Sequence, residues 1–423
     1  MPKEFAANEF PVATTWSPGV MGVDWEERVN FERLRSYRLD RVRQQLDHHG
    51  LGALLLFETS NIRYTTATQI GYWAFNKGER WALITRTGRP RMWDFGSAAK
   101  AHRLQLPSMF DKENSIAGNT GLQGAIGPEA GLHARAAAEI AAVLRDEGIA
   151  SESLGVDMAE TGVFLALQKE GLNVTDGQQA MMMAREIKSP DEITLLTQAS
   201  AMVDGVYQDI FEYLKPGVRE SDVVALAHAR LFGMGSEFVE AINSIAGERC
   251  SPHPHVFSDR LIRPGDQAYF DIIHAFNGYR TCYYRTFVVG RATQSQRDAF
   301  KQAREWMDAA IALVKPGNTT DLIAKVWPKA EDFGFVDEMD AFGLQFGHGV
   351  GVGLHERPII SRLNSIDDPI EIKEGMYFAL ETYAPANDGR SAARIEEMMV
   401  VTADGPKITT LFPCEELMVA NEY

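Results

Sequence analysis

One short phrase occurs twice in the second half of the chain, and that repetition limits the possible folds more than any other feature. Leu214-Lys215-Pro216-Gly217 returns one hundred residues later as Val314-Lys315-Pro316-Gly317, each copy preceded by a long helical pattern and followed by another. Further along, each copy enters an apolar strand through a glycine turn. Gly265-Asp266-Gln267-Ala268-Tyr269-Phe270-Asp271 matches Gly375-Met376-Tyr377-Phe378-Ala379-Leu380-Glu381, with a carboxylate six residues after the glycine in both. The shared order of helix, turn, helix, strand and carboxylate predicts a duplicated unit packed about a pseudo-two-fold axis, on which Asp271 and Glu381 converge. Buried carboxylates brought together cost several kcal/mol each unless a proton, a cation or an arginine neutralises them. Arg285 and Arg394 are the nearest arginine candidates.

The first half reads differently. Residues 1–24 mix Pro, Gly and Thr without period and are expected to form an extended arm. Helical periodicity runs from Trp25 to His49, the apolar run Ala53 to Phe57 reads as a buried strand, and shorter strands follow at Trp81 to Thr85 and Arg91 to Phe95. An Ala-rich helix at Ala136 to Glu147, a strand at Leu154 to Asp157 and a helix at Gly162 to Lys169 complete an alternating pattern. It predicts an α/β (α+β) architecture: a mixed-sheet domain over residues 25–186, then the duplicated domain over 187–423. Ser189-Pro190-Asp191-Glu192 opens the second domain as a helix start, with Pro190 in the first turn.

Composition excludes several roles. With 42 Lys+Arg against 58 Asp+Glu the net charge is −16, and no basic stripe offsets it locally, so nucleic acid and anionic membranes are poor partners. A small molecule or short peptide is the expected substrate. Three scattered cysteines, Cys250, Cys282 and Cys414, make no disulfide framework, and no run of about 18 apolar residues is present, so a cytoplasmic protein is expected.

Further donors follow the repeat: His348 between glycines in Gly347-His348-Gly349-Val350-Gly351, then His355-Glu356, and Glu396 in Arg394-Ile395-Glu396-Glu397. Carboxylates with an imidazole suit Mn²⁺, Fe²⁺, Co²⁺ or Zn²⁺. Glycines flanking His348 suggest close backbone approach.

These pieces, with the Gly278-Tyr279…Arg285-Thr286 hairpin, resemble the pita-bread family of methionine aminopeptidase, aminopeptidase P, prolidase and creatinase over about residues 186 to 415. The first domain, with Asn61-Ile62-Arg63-Tyr64-Thr65-Thr66, looks like the non-catalytic domain of the creatinase and prolidase branch, and the chain is more loosely similar to the dimethylsulfoniopropionate lyase of this fold. The resemblance implies five ligands for two metals, of which Asp271, His348, Glu381 and Glu396 match. Where relatives carry a bridging Asp, eleven residues after Asp271, stands Cys282. That departure leaves open one thiolate-bound ion, two ions, loss of the metal as in creatinase, or a packing role for Cys282. Relatives place a catalytic His near Glu248 to His255; His255 is favoured and His253 is the alternate, while His355 is implied to orient substrate or shuttle protons. Glu381 would also accept the proton of the attacking water. Trp73, Phe75, Arg80 and Arg394 are candidate substrate contacts, and a homodimer is implied.

The expected activity is metal-dependent hydrolysis of a C–N bond, in an Xaa-Pro type peptide or a small amide or guanidino compound. The alternatives are a metal-free creatinase-like hydrolase and a lyase of the dimethylsulfoniopropionate-cleaving type. The lyase relatives carry extra acidic residues around positions where this chain has Ile273 and His355.

Overall fold

The computed structural model describes residues 28–71, 73 and 78–423. The arm expected at 1–24 and the candidate Phe75 lie outside the described residues.

The first domain is built on a six-stranded mixed sheet in the order Ser115–Ala117, Arg91–Asp94, Trp81–Thr85, Leu51–Leu56, Ser153–Val156, Asn173–Asp176. Leu51–Leu56 is buried along its whole length, as its unbroken apolar run requires. The helix Phe31–His48 begins later than its periodicity suggested, because Asn30 caps it by accepting from the Arg33 amide. It places Leu34, Val42 and Leu46 in the core. The helices Thr59–Thr66 and Gly96–Gln105 and two short strands, Ser115–Ala117 and Asn173–Asp176, gave no clear period in the sequence.

The second domain reproduces the repeat down to single hydrogen bonds. Gly217 N donates to Ile262 O at 2.9 Å, and Gly317 N to Ile372 O at 2.9 Å. Ile262 N returns to Val218 O at 2.8 Å, and Ile372 N to Asn318 O at 2.7 Å. The turn glycines also match: Gly265 (φ 81°) donates to Val289 O and Gly375 (φ 83°) to Val401 O, a left-handed conformation that disfavours any side chain. The copies differ in the helix after the phrase, fourteen residues in Glu220–Gly233 but five in Thr320–Ala324. Pro190 and a Ser189–Glu192 capping box start the helix Pro190–Tyr213, as expected.

Each copy is built on a five-stranded sheet, the first completed by the strand Met418–Ala420 from the end of the chain. The first runs Met418–Ala420, Tyr284–Val289, Gln267–Phe276, Phe238–Ala246, with Tyr279–Arg280 paired to Gln267–Phe276; the second runs Glu356–Ile360, Phe346–Gly349, Tyr377–Pro385, Ala392–Thr402, Gly405–Ile408. They meet where Tyr284–Val289 crosses Ala392–Thr402. There Thr286 Oγ1 donates to Arg394 O at 2.6 Å and accepts from Arg394 N at 2.9 Å, while Arg285 Nη1 donates to Glu396 O at 2.6 Å. This seam brings the carboxylates of the two copies together.

Candidate active site and metal centre

Register decides which side chains face one another. Asp271 pairs across the first sheet with Asn243 on one side and Tyr284 on the other, and Glu381 pairs with Phe346 and Glu396 in the second. His348 lies on the strand Phe346–Gly349, and Cys282 lies in the link between Tyr279–Arg280 and Tyr284–Val289. Asp271, Cys282, His348, Glu381 and Glu396 are all buried. Asp271, Cys282, His348 and Glu381 line one cavity of about 530 Å³, with Asn243, Tyr284, His255, His355, Phe342 and Arg394 on its walls.

The donors are arranged for a cation. Cys282 Sγ stands 3.7 Å from both Asp271 Oδ1 and Glu396 Oε2, and His348 Nε2 stands 3.7 Å from Glu396 Oε1. One donor atom from each of Cys282, His348 and Glu396 lies within 4.8 Å of the other two. His348 Nδ1 is 3.1 Å from Gly349 O, and a carbonyl only accepts, so Nδ1 carries the ring proton and Nε2 presents a lone pair. That Nε2 and the facing Glu396 Oε1 are both buried without a hydrogen-bond partner. A lone pair and a carboxylate oxygen turned toward each other in a buried site call for a proton or a metal ion between them. The residues present therefore fit a divalent cation.

Electrostatics reinforce this geometry. Burial, then the neighbouring Glu381, pushes the Asp271 carboxyl up to about 7. Burial with Glu381 and Asp271 pushes Glu396 well above the carboxylate range, and burial with the surrounding carboxylates raises the Cys282 thiol. Burial lowers His348. The arginine alternative holds for one carboxylate of the pair. Arg394 donates to Glu381 Oε2, to Gly343 O at 2.9 Å, and stacks 4.5 Å over the Tyr284 ring. Arg285 instead pairs with Glu397 at 2.9 Å. Among the described residues, Asp271 receives only Asn243 Nδ2 at 3.0 Å and the Cys282 thiol.

The glycines around His348 have a structural cause. A Cβ on Gly347 would lie 2.7 Å from Ala379 O, and one on Gly349 would collide with the Arg357 carbonyl, so close strand packing requires them.

Of the two candidate histidines in the Pro-rich loop, His255 reaches the cavity wall. His253 lies beside it, its ring tilted with centres 4.0 Å apart, and places Nε2 3.0 Å from Tyr284 Oη, with burial lowering it to about 2. His355 also lines the cavity, its ring 4.6 Å from that of His348, and is held down to about 4 by desolvation and His348. Its neighbour Glu356 takes no part in this: it is buried against Lys188 at 2.9 Å and Arg185 at 3.4 Å.

The first-domain candidates separate. Arg80, expected to meet a substrate carboxylate, is buried inside its own domain, donating to Asp94 Oδ2 at 3.0 Å and Thr68 Oγ1 at 2.7 Å. Trp73 is 62% exposed and packs on Phe95 with ring centres 5.3 Å apart, away from the cavity lining. Asn243, which holds Asp271, was missed; its one signal was a polar residue inside the apolar stretch Ala241-Ile242-Asn243-Ser244-Ile245.

Comparison with known proteins agrees with this architecture. Metallopeptidase family M24 matches residues 194–403, and the Creatinase/Prolidase N-terminal domain matches 38–187. An Xaa-Pro dipeptidase of Pyrococcus furiosus is 30% identical over 269 residues, 62% of this chain and 74% of that protein. The dimethylsulfoniopropionate lyase DddP of Roseobacter denitrificans is 24% identical over 422 residues, 93% of this chain and 90% of that protein. Among solved structures, a dipeptidase from Pyrococcus horikoshii superposes with a TM-score of 0.73 at 20% identity, covering 90% of this chain and 99% of that one.

Proposed function

Given that the chain belongs to metallopeptidase family M24 and has the prolidase-type pita-bread fold, we propose that it is a metal-dependent hydrolase of a C–N bond in a short peptide or small amide. The observation that carries this reading is the facing pair of unpartnered buried acceptors, His348 Nε2 and Glu396 Oε1, with His348 on the wall of a cavity large enough for a dipeptide-sized ligand.

Asp271, Cys282, His348, Glu381 and Glu396 form the donor set. When bound there, a divalent ion supplies Lewis-acid chemistry, polarising a carbonyl and acidifying water. The remaining steps belong to side chains. Arg394 fixes the Glu381 carboxylate by a charge-assisted hydrogen bond, so that its other oxygen is oriented to accept a proton from attacking water. His255 and His355, both depressed and therefore neutral near pH 7, present ring N–H groups to the developing oxyanion and relay a proton to the leaving nitrogen. Phe342, Phe346 and Ile359 give the cavity apolar walls that exclude water from the reacting bond. Replacement of a bridging carboxylate by Cys282 favours a small or non-standard substrate over ordinary Xaa-Pro peptides. The same reading includes a homodimer, by resemblance to the family, and a reducing compartment, which three free buried cysteines suit.

A second reading, lyase chemistry, is favoured by one observation: the alignment to DddP runs through both domains, covering 93% of this chain. The test is a screen of the metal-loaded protein against Xaa-Pro dipeptides, guanidino compounds of the creatine type and dimethylsulfoniopropionate. Release of amine from a peptide or guanidino compound is the expected result. Turnover of dimethylsulfoniopropionate alone would replace the hydrolase with the lyase.

A further inference from the structure

Cys282 is the donor on which the resemblance and this chain part company, and the surrounding hydrogen bonds give that difference a consequence. Its Sγ sits between the two copies of the repeat, 3.7 Å from an oxygen of Asp271 and 3.7 Å from an oxygen of Glu396, and is 5% exposed as a residue. The unpartnered His348 Nε2 and Glu396 Oε1 share its neighbourhood. Two other carboxylate oxygens of the cluster are already engaged: Asp271 Oδ2 by Asn243 and Glu381 Oε2 by Arg394.

We propose that this centre holds a single thiophilic ion of the zinc and cobalt class, ligated by the Cys282 thiolate, His348 Nε2 and Glu396, in place of a pair of hard ions. The proposal rests on the metallohydrolase reading and specifies its metal. A carboxylate bridges two hard ions through two oxygens, whereas a thiol offers one polarisable sulfur that favours one borderline ion over Mn²⁺. On binding, the S–H bond breaks, the sulfur lone pair forms the metal bond and the proton leaves to solvent, since a cation reverses the field that otherwise keeps this thiol protonated. His348 needs no proton change, because Gly349 O already holds its proton on Nδ1. Asp271 and Glu381 then stay beside the ion, available to substrate and water.

The experiment is metal replacement in the full-length protein, stripped with chelator and titrated with Co²⁺, Zn²⁺ and Mn²⁺. It is read by metal content per chain and by near-ultraviolet sulfur-to-cobalt charge transfer. Wild type is expected to take one Co²⁺ per chain with the charge-transfer band. Cys282→Ser should lose the band and weaken Zn²⁺ at least about tenfold while leaving Mn²⁺ binding within a few-fold. Cys282→Asp should lose the band and gain a second ion and Mn²⁺ affinity. Circular dichroism checks that each variant is folded. Cobalt bound by wild type without the band overturns thiolate ligation, and two ions per wild-type chain overturn the single-ion centre; both leave the metallohydrolase standing. If neither wild type nor Cys282→Asp binds any ion, the metallohydrolase reading falls together with this proposal.

Discussion

Glu396 and Glu397 are adjacent on one strand, both buried, and treated in opposite ways. Glu397 accepts from Arg285 at 2.9 Å, from Thr410 Oγ1, from the Cys414 thiol at 2.8 Å, and lies 3.5 Å from Arg304. Glu396, turned to the other face, has an oxygen without a partner and faces a histidine lone pair. The contrast extends to the other donor types. His274, on the Asp271 strand, has both ring nitrogens occupied, by Ser236 Oγ at 3.0 Å and Ala199 O at 3.0 Å, whereas His348 Nε2 has none. Cys414 lies 3.1 Å from Arg304, whereas Cys282 sits among carboxylates. Each satisfied member shows that this fold can neutralise such a group internally. Glu396 Oε1 and His348 Nε2 are left facing each other without partners, and that incomplete pairing of a carboxylate oxygen with an imidazole lone pair marks a place kept for a cation.

Breaking the satisfied side should cost stability and leave metal binding alone. Arg285→Met strands the buried Glu397 charge and is expected to destabilise the fold by about 3–5 kcal/mol in denaturant unfolding. Metal content of the surviving folded protein should stay at wild-type level.

The histidine pair gives a pH test. Burial lowers His274 from 6.5 to about 4, so the native state holds this ring neutral while the unfolded chain protonates it below 6.5. The associated stability is present above pH 6.5 and lost as pH falls through about 4, amounting to roughly 3 kcal/mol. In chelator-treated protein, His274→Asn should flatten this part of the acid limb of a melting-temperature profile. An unchanged limb would assign acid sensitivity elsewhere.

The unsatisfied side should behave in the reverse sense. Glu396→Gln removes a carboxylate that, among the described residues, pairs with no Lys or Arg, so metal-free stability should hold within about 1 kcal/mol of wild type or rise. A saturating divalent ion at about one hundred times its Kd stabilises wild type by ~2.7 kcal/mol, and the variant should lose that increment. Comparable melting curves with and without metal in both proteins would break the contrast between Glu396 and Glu397.

The smallest effect concerns the seam that joins the halves. Thr286→Val leaves the Arg394 amide without its acceptor and should cost about 1–2 kcal/mol, measured by urea unfolding. No loss would show that the other contacts across the seam, those of Arg285 among them, suffice to hold the copies together.

Much of this was legible in the sequence because duplication and strand pattern are local signals. The two Lys-Pro-Gly phrases and the equal glycine-to-carboxylate spacing placed Asp271 and Glu381 in matching strands, and both reach the cavity. What stayed hidden depends on cross-strand register. Asn243 meets Asp271 from a strand 28 residues earlier, and strand pairing decides that Arg394, a candidate partner for either carboxylate, meets Glu381. Arg80 looked available because it adjoins Trp81 and an aromatic loop, but its partners Asp94 and Thr68 come from separate segments. The tautomer of His348, which aims its lone pair at Glu396, follows from one backbone carbonyl that no residue pattern announces.

The central claim is that the buried acceptors at Glu396 and His348 are a cation site, and anomalous X-ray scattering tests it most directly. Data collected on both sides of the zinc absorption edge, from crystals grown with Zn²⁺, should show one peak bounded by Cys282, His348 and Glu396. Diffraction from well-ordered crystals with no anomalous peak at that cluster would contradict it.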